Sequence, residues 1–176
     1  MGIRITGGFL RGRVIESPSG LKTRPTASRT REAIFNILQD VSGFTVLDLF
    51  SGSGIIGLEA ISRNAAQVFA VEQNHNQAMR IKKAYKTLKV EEKLILLEKN
   101  VLALTDNDLQ KTQFDLIYAD PPFTETYPDL TFTESFLAPG GIAIFECPTR
   151  TLPPFVSDME IRRYGESSLA FYRNHS

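Results

Sequence analysis

The chain has 176 residues, 42% of them hydrophobic, with 20 Lys+Arg set against 20 Asp+Glu. This length and apolar content describe one globular domain with its own core and leave little room for a second, and the cancelling charge with 10% aromatics argues against disorder. Cys147 has no partner for a disulfide, Cys147 with His75 and His175 cannot assemble a metal site, and no apolar run reaches the roughly 18 residues of a membrane span. The expectations are a reducing, cytoplasmic setting, no metal, no membrane and a monomer.

Neutrality conceals a split. Residues 1–31 contain seven basic residues and a single acid, Glu16, a local charge of +6, which leaves −6 on the remaining 145. A basic segment on an otherwise acidic chain suggests an anionic partner.

Residues 3–15 combine β-branched residues with Gly7, Gly8 and Gly12, a pattern for a short hairpin carrying Arg4, Arg11 and Arg13. A turn-rich connector over 17–26 precedes a helical stripe of Ala33, Ile34, Ile37 and Leu38, with Ser28 as its candidate N-cap. From residue 45 onward, short apolar runs at 45–50, 67–71, 94–97 and 114–119 alternate with longer stretches, notably helices over 55–63 and 76–88. Such alternation predicts a parallel sheet covered on both faces. Pro139-Gly140-Gly141 should turn the chain into a fifth strand over 142–147, and the segments 160–164 and 169–173 are close enough to pair antiparallel.

The first of these strands runs into Gly52-x-Gly54-x-x-Gly57 and a helix, and Glu72 lies twenty residues beyond Gly52 at the end of the second strand. Glycines there let a ligand approach the backbone, and a strand-end carboxylate can accept ribose hydroxyl protons, so a nucleoside-containing cofactor is expected. Asp48 just before the loop would repel a pyrophosphate but stabilise a cationic cofactor's ammonium group. The fourth strand delivers Asp120-Pro121-Pro122-Phe123 to the same edge. Two prolines leave only carbonyl acceptors, so a carboxylate beside them forms a receptor for an –NH₂ group, with Phe123 as a stacking face. Strand-end turn glycines and an Asp-Pro turn are the bland alternatives for each motif taken alone.

Residues 47–57 resemble the cofactor loop of class I S-adenosylmethionine methyltransferases, and Asp120-Pro121-Pro122-Phe123 resembles their amino-methylating tetrad. More narrowly, Arg4-Ile5-Thr6-Gly7-Gly8, Arg11-Gly12-Arg13, Arg24-Pro25-Thr26 with Arg29, Arg31 and Glu32, and Phe35-Asn36 are similar to the RsmD family, which methylates the 2-amino group of a guanine in bacterial small-subunit ribosomal RNA. The resemblance implies a Rossmann-like α/β fold: a seven-stranded, mostly parallel sheet with a C-terminal antiparallel pair, preceded by a small N-terminal β-hairpin. It divides the chain into a basic, RNA-facing extension over 1–27 and a methyltransferase domain over 28–176. It also implies that Asp48, Phe50, Ser51, Gly52, Ser53, Gly54, Glu72, Gln73, Asn100 and Val101 hold S-adenosylmethionine, and that Asp120, Pro121, Pro122 and Phe123 hold and activate the amine. Arg4, Arg11, Arg13, Arg24, Arg29 and Arg31, with Lys22, would meet small-subunit rRNA or an assembling subunit. Residues 124–136, with Pro128 and several threonines, depart from the family's longer helix. An NAD-dependent oxidoreductase, a DNA amino-methyltransferase and a non-enzymatic RNA-binding protein remain alternatives on sequence grounds.

Overall fold

The computed structural model describes residues 2–17, 25–122 and 126–175, with residues 25–27 described by their backbone alone. Lys22, Arg24 and Phe123 therefore lie outside the described residues. A two-stranded antiparallel hairpin, β1 (Gly2–Arg4) and β2 (Val14–Glu16), leads to helix α1 (Pro25–Leu38). Then follow β3 (Thr45–Leu49), α2 (Ile55–Ser62), β4 (Gln67–Val71), α3 (His75–Thr87), β5 (Leu94–Leu97) and β6 (Phe114–Ala119). β7 (Leu137–Pro148), β8 (Glu160–Tyr164) and β9 (Ser167–Arg173) complete the chain.

The main sheet has seven strands in the order β5-β4-β3-β6-β7-β9-β8, parallel through β7, with β9 antiparallel to both its neighbours. This is the expected class I methyltransferase sheet with its C-terminal antiparallel pair and preceding hairpin. The chain winds outward from β3 in one direction and then from β6 in the other, so the switch point falls between these two strands, where open parallel sheets bind ligands.

Period-two alternation splits the buried strand residues between two cores. Val46, Val68, Ala70, Leu116, Tyr118 and Ile144 face one way and pack under the helices, with Ile34, Phe35, Leu58, Ile61 and Ile81. Leu47, Leu49, Phe69, Ile117, Ala143 and Phe145 face the other way, where Val101, Leu109, Leu130, Phe136 and Val156 cover them. The covering elements differ from the expectation of helices on both faces. Among the described residues, the second face carries short 3₁₀ turns at Val101–Ala103, Thr131–Phe136 and Pro154–Val156. Of the segment 124–136, in which the family resemblance implied a longer helix, residues 126–136 are described and form only the 3₁₀ turn Thr131–Phe136.

Two boundaries also move. α1 starts at Pro25, ahead of the predicted cap Ser28; proline suits a first helical turn because its missing N–H would be unpaired there anyway. Pro139-Gly140-Gly141 does not precede the fifth strand but lies within β7, as a bulge that shifts the pairing from Phe114↔Leu137 to Leu116↔Ile142. Gly140 adopts φ +74°, and its N–H donates to the Asn174 carbonyl at 3.0 Å, which ties the bulge to the chain beyond β9.

The hairpin shares the helical core. Ile5, Leu10 and Ile15 are buried among Ile34, Phe35 and Ile61. Its tip rests on the end of α2: Phe9 N–H donates to the Ser62 carbonyl at 2.8 Å, Leu10 N–H to Ser62 Oγ at 2.8 Å, and Ser62 Oγ to the Gly7 carbonyl at 2.5 Å. Gly8, at φ +74°, lies so close to the Ser62 carbonyl that no side chain fits. Beneath it, fully buried Glu59 accepts from Thr6 N–H at 2.7 Å and Thr6 Oγ1 at 2.9 Å, and faces Arg31 and Arg63, each at 3.6 Å. No helix among the described residues is long and apolar enough to cross a membrane.

Candidate active site

Four carboxylates reach the carboxyl ends of four adjacent strands on the helix-bearing face: Glu72 after β4, Asp48 in β3, Asp120 after β6 and Glu146 in β7. Alternation puts each two residues from an inward neighbour of the helical core, namely Ala70, Val46, Tyr118 and Ile144. Leu49 pairs with Ala119, and Ala119 with Phe145, so β3 and β6 end side by side next to Phe145 of β7, which runs on to Pro148.

Asp48 is buried beneath the glycine turn. It accepts a hydrogen bond from Gly57 N–H in the first turn of α2, while its Oδ2 has no hydrogen-bond partner. Burial is the main force raising its carboxyl to about 7; the Gly57 and Ser51 hydrogen bonds oppose the shift and the charge of Glu72 adds to it. An unpartnered carboxylate of this kind suits a cationic ligand group. The turn itself is rigid. Phe50 and Gly54 have positive φ, 58° and 74°; Ser51 N–H donates to the Val71 carbonyl at 2.9 Å, and Gly54 N–H to the Ser51 carbonyl at 2.7 Å. Gly57 faces Tyr85 and Val68 too closely to admit a Cβ, which lets α2 lie against β4.

Glu72 ties this turn to the next one. One oxygen accepts from Gly52 N–H at 2.9 Å and the other from Asn74 N–H at 2.8 Å. Each carboxylate oxygen retains a second lone pair for ribose hydroxyls. Gln73 beside it is exposed, whereas Ser53 is half-buried in the turn. Asn100 caps the following 3₁₀ turn through Oδ1, accepting from Leu102 N–H at 2.9 Å; the side-chain amide nitrogen and the exposed edge are what it can offer a ligand. Val101 is buried and Leu102 is 59% exposed beside it, an apolar ledge at the site's rim.

Asp120 remains accessible to solvent, yet the protein around it restricts hydration and raises its carboxyl well above the usual range, with Glu146 and then Asp48 pushing the same way. Pro121 is buried and Pro122 exposed. Glu146 accepts from the Tyr118 hydroxyl at 2.6 Å, and its carbonyl accepts from the Tyr127 hydroxyl at 2.9 Å. The motif reading did not single out Glu146, Tyr118 or Tyr127. The available signal was a charged residue interrupting the otherwise apolar run of β7.

The basic residues fall into two groups. Arg4, Arg11, Arg13 and Arg29 are exposed. Arg31 is buried, donates to the Arg4 carbonyl at 3.0 Å and faces Glu59, so its guanidinium braces the hairpin from within. Because the hairpin tip rests at the end of α2 remote from the glycine turn, Arg11 is carried about one eight-residue helix, roughly 12 Å, back from that turn.

A family model described as "Conserved hypothetical protein 95" matches residues 3–173. The chain is 30% identical to "Putative rRNA methyltransferase YlbH" of Bacillus subtilis, over 97% of this chain and 98% of that protein. The chain belongs to the RsmD family of methyltransferases. Ribosomal RNA small subunit methyltransferase D of Escherichia coli is 37% identical across 69% of this chain and 60% of its own length. Among solved structures, "Putative methyltransferase yhhF from Escherichia coli" superposes with a TM-score of 0.81 at 26% identity, covering 99% of this chain and 98% of that one.

Proposed function

We propose that this RsmD-family chain transfers a methyl group from S-adenosylmethionine to the exocyclic 2-amino group of a guanine in small-subunit ribosomal RNA, free or in an assembling subunit. The observation that carries this reading is the juxtaposition of two receptors at adjacent strand ends: the Asp48 carboxylate, with its unpartnered Oδ2, under the glycine turn, and Asp120 with Pro121 and Pro122. S-adenosylmethionine supplies an electrophilic methyl group on a sulfonium. Asp48 would attract its ammonium, Gly52 and Gly54 with Phe50, Ser51 and Ser53 would surround its methionine part, Glu72 and Gln73 its ribose, and Asn100 and Val101 its adenine. Asp120 and the proline carbonyl would accept the amine hydrogens, drawing the nitrogen lone pair out of conjugation with the ring and aiming it at the methyl. Phe123 follows this receptor in sequence and is assigned the stacking role. A guanine within a duplex could not reach Asp120, so the substrate is an unpaired or flipped-out base.

The hairpin and connector, residues 1–27, are assigned to RNA contact, and residues 28–176 to catalysis. Arg4, Arg11, Arg13 and Arg29 form the exposed set, and Arg24 completes it in sequence. Arg31 supports the hairpin that presents Arg4, Arg11 and Arg13.

Incubating the protein with methyl-labelled S-adenosylmethionine and undermethylated small-subunit rRNA or particles, followed by digestion to nucleosides, should place the label on N2-methylguanosine. Label in no guanine of any RNA form would refute the reading. NAD(H) binding without affinity for S-adenosylmethionine would replace it with the oxidoreductase.

Two further outcomes are expected. An ammonium prefers ionised Asp48, whose carboxyl is raised to about 7, so binding releases a proton and cofactor affinity rises with pH up to about 7 before levelling. Below that point the slope approaches tenfold per pH unit. Calorimetry between pH 6 and 8 should show this rise in the native chain and its absence in Asp48→Asn; a flat native profile would remove the carboxylate from ammonium binding. Replacing both Arg11 and Arg13 with glutamine should lower RNA affinity and reduce the salt slope by roughly 1.5 to 2, without altering cofactor affinity. Unchanged RNA binding would leave the hairpin a purely structural role.

A further inference from the structure

The amine gives up a proton during methyl transfer, and Asp120 is the carboxylate facing it in the proposed reaction. Glu146 lies in the adjacent strand, β7. The last paired residues of β6 and β7 are Ala119 and Phe145, so the residues that follow them, Asp120 and Glu146, emerge next to each other. Tyr118, two residues before Asp120 on the same face, donates its hydroxyl to Glu146 Oε2 at 2.6 Å, and Tyr127 donates to the Glu146 carbonyl at 2.9 Å. Neither hydrogen bond is required to hold the cofactor turn, and neither belongs to the tetrad. They fix one carboxylate beside another.

We propose that Glu146, held by Tyr118 on the neighbouring strand, is a positioning residue that makes Asp120 a proton acceptor for the substrate amine. This inference rests on the amine-methylating reading above. In the step, the nitrogen lone pair forms the N–C bond, the electron pair of the C–S bond leaves on sulfur, and one amine proton passes to the Asp120 carboxylate. The sulfonium charge and the carboxylate charge disappear together, leaving a neutral methylamine, a thioether and a carboxylic acid.

The surroundings support this assignment. Restricted hydration and then the charges of Glu146 and Asp48 raise the Asp120 carboxyl. Tyr118 and Tyr127 are shifted upward, mainly by burial, and Cys147 is pushed up to about 12, so all three remain neutral at ordinary pH. Arg31 from α1 faces Tyr118 but is paired with Glu59. Among the described residues, the charges facing Asp120 are thus Glu146 from β7 and Asp48 from β3, and Glu146 acts on it more strongly.

Raised proton affinity improves an acceptor provided it is ionised at the working pH, so the native methyl-transfer rate should fall on the acid side as Asp120 takes up its proton. In Glu146→Gln, whose amide oxygen still accepts from Tyr118, that acid limb should move down by about one pH unit. Glu146→Asp keeps the charge and should restore the native midpoint. Tyr118→Phe removes the hydrogen bond that holds Glu146 but keeps its charge, and should lower the midpoint less than Glu146→Gln does. Carbon NMR of aspartate-labelled protein, with Asp120 assigned by its loss in Asp120→Asn, reads the same ionisation without RNA or cofactor. A native Asp120 midpoint near the ordinary value of about 4 would overturn the proposal without any variant. So would an unmoved midpoint in Glu146→Gln, or an equal fall in Tyr118→Phe. Because the NMR titration involves no substrate, its failure is separate from a failure to label guanine.

Discussion

Asp120→Ala should bind S-adenosylmethionine as the native chain does while its rate of methyl transfer falls by roughly 10²–10³-fold, the usual loss when one fixed polar group of a reacting site is deleted. The cofactor contacts assigned above lie on β3, β4 and the turn after β5, and only the amine receptor is removed. Asp120 is solvent-accessible, so its truncation leaves no cavity in either core. Single-turnover rates on rRNA, measured beside cofactor affinity by calorimetry, separate the two effects. A rate within tenfold of native would remove the carboxylate from the mechanism; a parallel collapse of cofactor affinity would show that Asp120 belongs to the other half of the site.

Glu59→Ala should cost about 3–5 kcal/mol of stability, a large share of the 5–15 kcal/mol typical of a domain. The side chain is fully buried, and its Oε1 accepts both donors of Thr6 while Arg31 and Arg63 approach from α1 and α2. Its removal leaves a buried guanidinium facing no carboxylate and a hairpin N–H without its acceptor. The guanidinium of Arg31 is itself only partly satisfied even in the native chain, since its Nε lacks a hydrogen bond. Urea denaturation at fixed pH measures the loss. A change below about 1 kcal/mol would mean that Arg31 and Thr6 find other partners.

Parts of the fold were legible because one physical signal dominated. The strands 67–71, 94–97 and 114–119 are apolar runs bounded by polar turns, and their bounds agree with the structure to the residue. The glycine turn was legible because Gly54 and Gly57 are required by backbone conformation and close packing respectively. The bulge at Gly140 was not, because Pro-Gly-Gly reads as a turn locally and only pairing with β6 and with Asn174 draws it into a strand. The second face of the sheet misled in a similar way: its cover comes from isolated residues such as Leu109, Leu130 and Val156 on short turns, which have no helical period to detect.

At the site, sequence spacing found the carboxylates placed by the glycine loop, Asp48 and Glu72, and by the two prolines, Asp120, and passed over Glu146, which neither motif places. Arg31 shows the converse limit. Seven basic residues in a stretch read alike until packing distinguishes them, and the partner that draws Arg31 inward, Glu59, is remote in sequence. A single acid in the otherwise apolar helix α2 was the available clue, because a helix buried on all sides carries a charge only where an opposite one meets it.

α2 has the cofactor turn at one end and the hairpin tip at the other. The first seventeen residues are therefore poor material for exchange between relatives. A hairpin grafted from a homologue would have to bring glycine at position 8 to meet Ser62, threonine or an equivalent donor at position 6 to meet Glu59, and apolar residues at 5, 10 and 15 to refill the core. Outward positions such as 4, 9, 11, 13, 14 and 16 can vary without changing those contacts. Variation at those positions would alter only the surface assigned above to RNA contact, on a frame whose remaining residues answer to the body of the fold.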